Sequence, residues 1–187
     1  MLQGAPLETK QEGDMPFSKS LTGAALVIWA SFLSSNAFGA DEKSAAPVST
    51  YAIPIGATIS LDAAKRVAAA AAAEARKNNW RMAIAVVDPA GSLIYYEKMD
   101  DTQIGSAKVA IDKARSAALY KRPTKAFQDA IAGGGLGVRV LGLEGAVPLE
   151  GGLPLMSGGK LVGAIGVSGD LSEHDGQCAS AAVAVLK

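Results

Sequence analysis

His174, the only histidine of the chain, stands in "DLSEHDG" next to Asp175, and the chemistry open to it is broad. A neutral imidazole offers a nitrogen lone pair to a metal ion, haem iron included, and it is also a natural general base. One histidine and one cysteine do not make an ordinary zinc site. The plain alternative for His174 is a solvated residue at the start of a helix. Asp175 has such an alternative too, because it follows Ser172 by three residues, the spacing of a capping box with Asp in place of Glu.

Glu150 is the second acid–base candidate. In "PLEGG" its carboxylate lies between a proline turn and Gly151 and Gly152, at a strand entrance where backbone N–H groups can orient it; a surface turn is the alternative. Lys113, Arg115, Lys121, Arg122 and Lys125 bracket two expected helices. They read either as a cationic rim for the carboxylate of an organic acid or of haem propionates, or as an ordinary solvated face. Ser168, His174 and Asp175 are close in sequence, but adjacency does not supply the relay geometry of a hydrolase.

Two glycine runs invite a phosphate-loop reading, "GGGLG" at 133–137 and "GAIGVSG" at 163–169. The first comes after an expected helix and lacks the Lys-Ser/Thr of a nucleotide loop, and the second lacks the G-x-G-x-x-G spacing. Gly163, Gly166 and Gly169 read instead as places where a strand lets another chain or a ligand come close.

The elements that must position these residues are legible from periodicity and punctuation. "SLDAAKRVAAAAAAEARKNN" predicts a helix with a Ser60 cap, Asp62 in its first turn and Arg76 and Lys77 in its last. "MAIAVVDPAGSLIYYEKMD" predicts an antiparallel hairpin about Asp88–Gly91. Apolar recurrence predicts a helix over 106–120, and Pro123 with a Thr124 cap opens a short one stopped by glycine. "GLPLMSGGKLVGAIGVSG" predicts a second hairpin about Gly158–Gly159, and after it a final helix capped by Ser172. Helix, hairpin, helices, hairpin, helix is an α+β pattern with an antiparallel sheet.

Composition narrows the classes. The 187 residues are 49% hydrophobic, enough for one cored domain. Lys plus Arg equals Asp plus Glu at 18 each and no basic run occurs, so nucleic acid is excluded as an expected partner. The segment 15–40 has Lys19, an apolar run from Leu21 to Leu33 and small residues at 37–40, the order of a secretory signal peptide. The mature chain is expected to begin between Phe38 and Asp41, to have no membrane span and to be periplasmic or secreted. The acidic residues before Met15 make Met15 the expected translation start. Residues 41–57 read as a flexible lead-in to a domain over 58–187. Cys178, being alone, forms no internal disulfide and reads as a small apolar residue of the last helix.

Three stretches together, "AIAVVDPAGSLIYYEKMD", "AIDKARSAALYKRPTKAF" and "PLEGGLPLMSGGKLVGAIGVSGDLSEHDGQCA", resemble the GlcG/HbpS family of haem-binding proteins, which is also similar to the C-terminal domain of PduO. The resemblance covers residues 58–187. It implies a three-layer α/β/α fold with a five-stranded antiparallel sheet of profilin-like type, assembly into higher homo-oligomers, often octamers, and haem as a cofactor of some members, with exported ones acting in haem or redox sensing. A threonine ligates the iron in a secreted member, which directs attention to Thr124. His174 stands where the family often has glutamine. The candidate cofactor-binding set is therefore Thr124, Lys113, Arg122, Lys125, Gly151, Gly152, Ser168, Gly169 and Asp175, with His174 as metal ligand. The alternative is an enzyme acting on an organic acid or aromatic compound, with His174 or Glu150 as the acid–base group.

Overall fold

The computed structural model describes residues 49–186; the expected leader and the first part of the lead-in lie outside them. Helix α1 (Leu61–Lys77) starts where expected, with the Ser60 hydroxyl accepting from the Ala63 N–H at 3.2 Å. Its alanines at 63, 64, 68, 71, 72 and 75 are buried with Val67 in one stripe, so the helix can lie close on its neighbours. It ends at Asn78, whose side-chain amide donates to the Glu74 carbonyl at 2.8 Å.

Strands β1 (Ala83–Val87) and β2 (Leu93–Lys98) form the first hairpin, and β3 (Gly152–Ser157) and β4 (Lys160–Ser168) the second. All pairings are antiparallel and the order is β2-β1-β4-β3. The inner strands β1 and β4 are buried along almost their whole length, because helices cover both faces. Ile84, Val86, Ile165 and Val167 face α1 and α4 (Ser172–Ala184), while Ala83, Ala85, Val87 and Ala164 face α2 (Ser106–Tyr120). The result is an α+β domain with an antiparallel sheet between two helical layers.

Small residues set the spacing on the α2 face. A Cβ on Gly166 would strike the Ala110 carbonyl and the Ala114 amide, so the α2 backbone rests directly on β4. The buried stripe of α2 is correspondingly small, with Ser106, Ala110, Ala114, Ser116, Ala117 and Ala118.

The sheet has four strands among the described residues, where the resemblance implies five. A further segment lies beside β4 but makes only one bridge, parallel, between Ile55 and Leu161. Hydrogen bonds from Leu161 N–H to Pro54 O (2.9 Å), Gly56 N–H to Leu161 O (2.8 Å) and Ile59 N–H to Val162 O (2.8 Å) hold it there. The end of the expected lead-in is thus tied to the sheet.

Two expected caps differ. Thr124 does precede α3 (Lys125–Ala132), but its side chain makes no cap bond, because its hydroxyl is used by the β3 entrance. Ser172 is the first residue of α4 rather than its cap; Leu171 takes that position without a side-chain bond, and Asp175 is drawn inward to a cation instead. Between α3 and β3 the chain forms a 3-10 segment, Gly135–Gly142, with no buried residue. Cys178 is buried, and desolvation pushes its thiol up to about 12, which suits the apolar role read from the sequence.

Candidate functional site

Lys113 falls in the inward stripe of α2 and is 1% exposed. Its Nζ donates to Asp175 Oδ2 at 2.7 Å and to the Val167 carbonyl at 3.1 Å. Asp175 is also buried, and its other oxygen accepts from the Asp170 N–H at 3.3 Å. Burial pushes the Lys113 ammonium below the ordinary lysine range and the Asp175 carboxyl above the ordinary aspartate range, each partly held back by the other's charge. Such a pair, joining α2, the end of β4 and the start of α4, is a fixed internal strut rather than an exchangeable clamp.

Gly151 packs on this strut. Its φ of 124° is open to glycine, and a Cβ there would lie within 3 Å of the Val167 carbonyl, Asp175 Cβ and Lys113 Nζ. Gly152 hydrogen-bonds Thr124 in both directions: its N–H donates to the Thr124 hydroxyl at 2.9 Å, and its carbonyl accepts the Thr124 N–H at 3.0 Å. The Thr124 hydroxyl in turn donates to the Leu149 carbonyl at 2.6 Å, and the residue is fully buried. That hydroxyl fastens α3 to the β3 entrance and presents no side to solvent.

Glu150, between them, turns the other way. Its N–H donates to Gln128 Oε1 at 2.9 Å, its carboxylate lies against the backbone of Gly176, and Lys125 Nζ is 3.8 Å from Oε2. Lys125 also pairs with Asp129 at 2.8 Å.

His174 is partly exposed, with its side chain at 32%. Its ring stacks on Trp80 with centroids 4.0 Å apart and planes 12° apart, and Nδ1 lies 3.1 Å from Asp170 Oδ1. With Nδ1 engaged by a carboxylate, the proton belongs on Nδ1 and the Nε2 lone pair is the free one. The Leu171 N–H and His174 hold the Asp170 carboxyl below the usual carboxylate range, so the orienting group stays ionised into acid.

The residues named from the sequence are therefore sorted into two places. Lys113, Asp175, Gly151, Gly152 and Thr124 gather in one buried network, with Glu150 and Lys125 at its outer edge. Ser168, buried, ends β4 beside it, and Gly169 follows the strand. His174 faces Trp80, whereas Gly176, which carries Glu150, lies two residues on and so about 200° around the helix. The two acid–base candidates do not meet. Nor do the five cations form one rim: Arg115 Nε donates to the Gly91 carbonyl at 3.1 Å, Lys121 Nζ to the Ile53 carbonyl at 2.7 Å and Arg122 to Thr50 Oγ1 at 2.9 Å. Trp80 and Asp170 do not stand out in the sequence. Asp170 lies just ahead of the α4 cap, four residues before His174, close enough in sequence to suggest contact, whereas nothing local links Trp80 to the ring it stacks on.

Fold and site together define a layered α+β domain with a buried ionic strut and one surface imidazole oriented by a carboxylate. A family model described as haem degrading protein, HbpS-like, matches residues 59–184, and the chain belongs to that family. Protein GlcG of Escherichia coli is 40% identical over 110 residues, 59% of this chain and 81% of that protein. A double mutant of HbpS from Streptomyces reticuli superposes with a TM-score of 0.65 at 29% identity, covering 72% of this chain and 91% of that one. The solved complex of PduOC with haem superposes with a TM-score of 0.62 at 27% identity, covering 68% and 94%.

Proposed function

We propose that the chain is an exported, self-associating haem- or tetrapyrrole-binding protein working in haem or redox sensing, with His174 as the iron ligand. The observation that carries this reading is the His174 ring, oriented by Asp170 and Trp80 with Nε2 free, in a family one of whose solved relatives was crystallised with haem. Haem, when bound, supplies an iron that can change oxidation state. The protein's own residues hold and orient the imidazole: Asp170 keeps the proton on Nδ1 and Trp80 restrains the ring plane. Export rests on the order of parts in residues 15–40, and higher oligomers such as octamers, together with a profilin-like sheet, rest on the family resemblance.

Haemin titration monitored by absorption tests the reading. A saturable Soret shift is expected, lost in His174→Ala and retained in Thr124→Ala. No shift with the unsubstituted protein overturns haem binding; a shift unchanged in His174→Ala overturns the ligand assignment.

The same pair favours a second reading. An imidazole with a carboxylate on Nδ1 and a free Nε2 is also a general base, suited to a small organic acid or aromatic substrate. Unchanged turnover of such a substrate by His174→Ala excludes it. Glu150, apart from His174 and beside Lys125, would act alone.

A further inference from the structure

The segment between α3 and β3 is built to be apolar and outside. Leu136 is 74% exposed, Leu141 71%, Val138 50% and Leu143 42%, a run of large apolar side chains within eight residues. Scattered apolar residues on a surface are ordinary, but a contiguous set marks a contact surface. This one is held in place. The Tyr120 hydroxyl donates to the Glu144 carbonyl at 2.6 Å, the Val147 N–H donates to Ser116 Oγ at 3.0 Å, and Gly137 packs against the Ala130 carbonyl. The arm is therefore a shaped projection anchored on α2 and α3.

Its charges indicate what covers it. Residues 135–147 carry one cation, Arg139, and one anion, Glu144, and among the described residues neither charged group has a partner. Four residues separate them, Leu141 and Leu143 among these. A surface with one charge of each sign on either side of an apolar centre is complementary to itself under a two-fold rotation, which is the condition for an isologous contact.

We infer that this arm is an interface with a second copy of the chain, related by a two-fold axis near residues 141 and 142. Arg139 of each copy then meets Glu144 of the other, and Leu136, Val138, Leu141 and Leu143 are covered between them. The stretch from 133 to 149, ending at the exposed Leu149, approaches the roughly 20–30 residues a side of a standard interface. The inference deepens the self-association in the proposed function and is independent of haem.

Light scattering on the full chain, against its intact mass, tests it over a range of concentrations. The expected mass is a whole multiple of the chain, two or more. Leu136→Asp with Leu141→Asp is expected to lower that mass at least twofold with unchanged far-ultraviolet circular dichroism. Arg139→Glu and Glu144→Arg singly are each expected to raise the dissociation concentration about tenfold or more, and their combination to restore it. A monomeric unsubstituted chain overturns both the arm and self-association. An unsubstituted oligomer unchanged by every arm variant overturns the arm alone, as does recruitment of the monomer through these leucines to neutral phospholipid vesicles. Haemin binding is read separately, so its failure does not bear on the arm.

Discussion

Replacing Lys113 by Met, or Asp175 by Leu, removes one half of a buried ion pair and leaves the other charge without its counterion. Each single change is expected to cost about 3–5 kcal/mol in urea unfolding, and the double replacement to recover most of it. A double variant as unstable as either single one shows that packing around the two side chains, rather than charge, is what the strut supplies. The pair also shows where reading residues one at a time ends. Both stand out in the sequence, Lys113 for an anion-binding rim and Asp175 for a helix start. What assigns them to each other is their approach across 62 positions. The local clue is the company Lys113 keeps, Ala110, Ala114 and Ala117, a stripe otherwise wholly apolar or small. Thr124 teaches the same lesson, since its hydroxyl answers to Leu149 and Gly152, far along the chain.

At the level of elements, Gly166→Ala is expected to destabilise by about 1–3 kcal/mol, because the added methyl meets the backbone of α2, which cannot rotate away. Gly105→Ala, with open space around it and φ of −64°, is the matching control and should stay within about 1 kcal/mol of the unsubstituted protein. Thermal or urea melts of the two variants check both. Most elements are legible because their signals are local: the Ser60 cap, the Asp88–Gly91 turn, the alanine steps of α2 and the Gly158–Gly159 turn all lie where expected. The start of α4 departs from expectation because Ser172 and Asp175 have the spacing of a capping box, and spacing does not reveal that Lys113 competes for the carboxylate. The arm leaves no trace in the pattern because a 3-10 segment has no long periodicity, and a glycine stop marks a helix end without specifying the next element.

For the molecule as a whole, the two helical layers do not close the sheet by themselves. The N-terminal end of β4 runs past β1, and the segment from Pro54 to Ile59 takes the place β1 leaves free. Three backbone hydrogen bonds make that segment part of the folded body, although its sequence reads as lead-in. Seen as a substrate for proteases, the chain therefore has a boundary fixed by pairing rather than by composition. Trimming by an unspecific protease is expected to halt before Pro54, and mass spectrometry of the resistant core measures where. A core beginning after Ile59 would show the segment to be dispensable. If the boundary holds, the stretch that a shearing protease can reach ends ahead of the first bond to β4. Were the chain exported as proposed, the cleavage expected between Phe38 and Asp41 would fall upstream of that bond and leave the folded domain untouched.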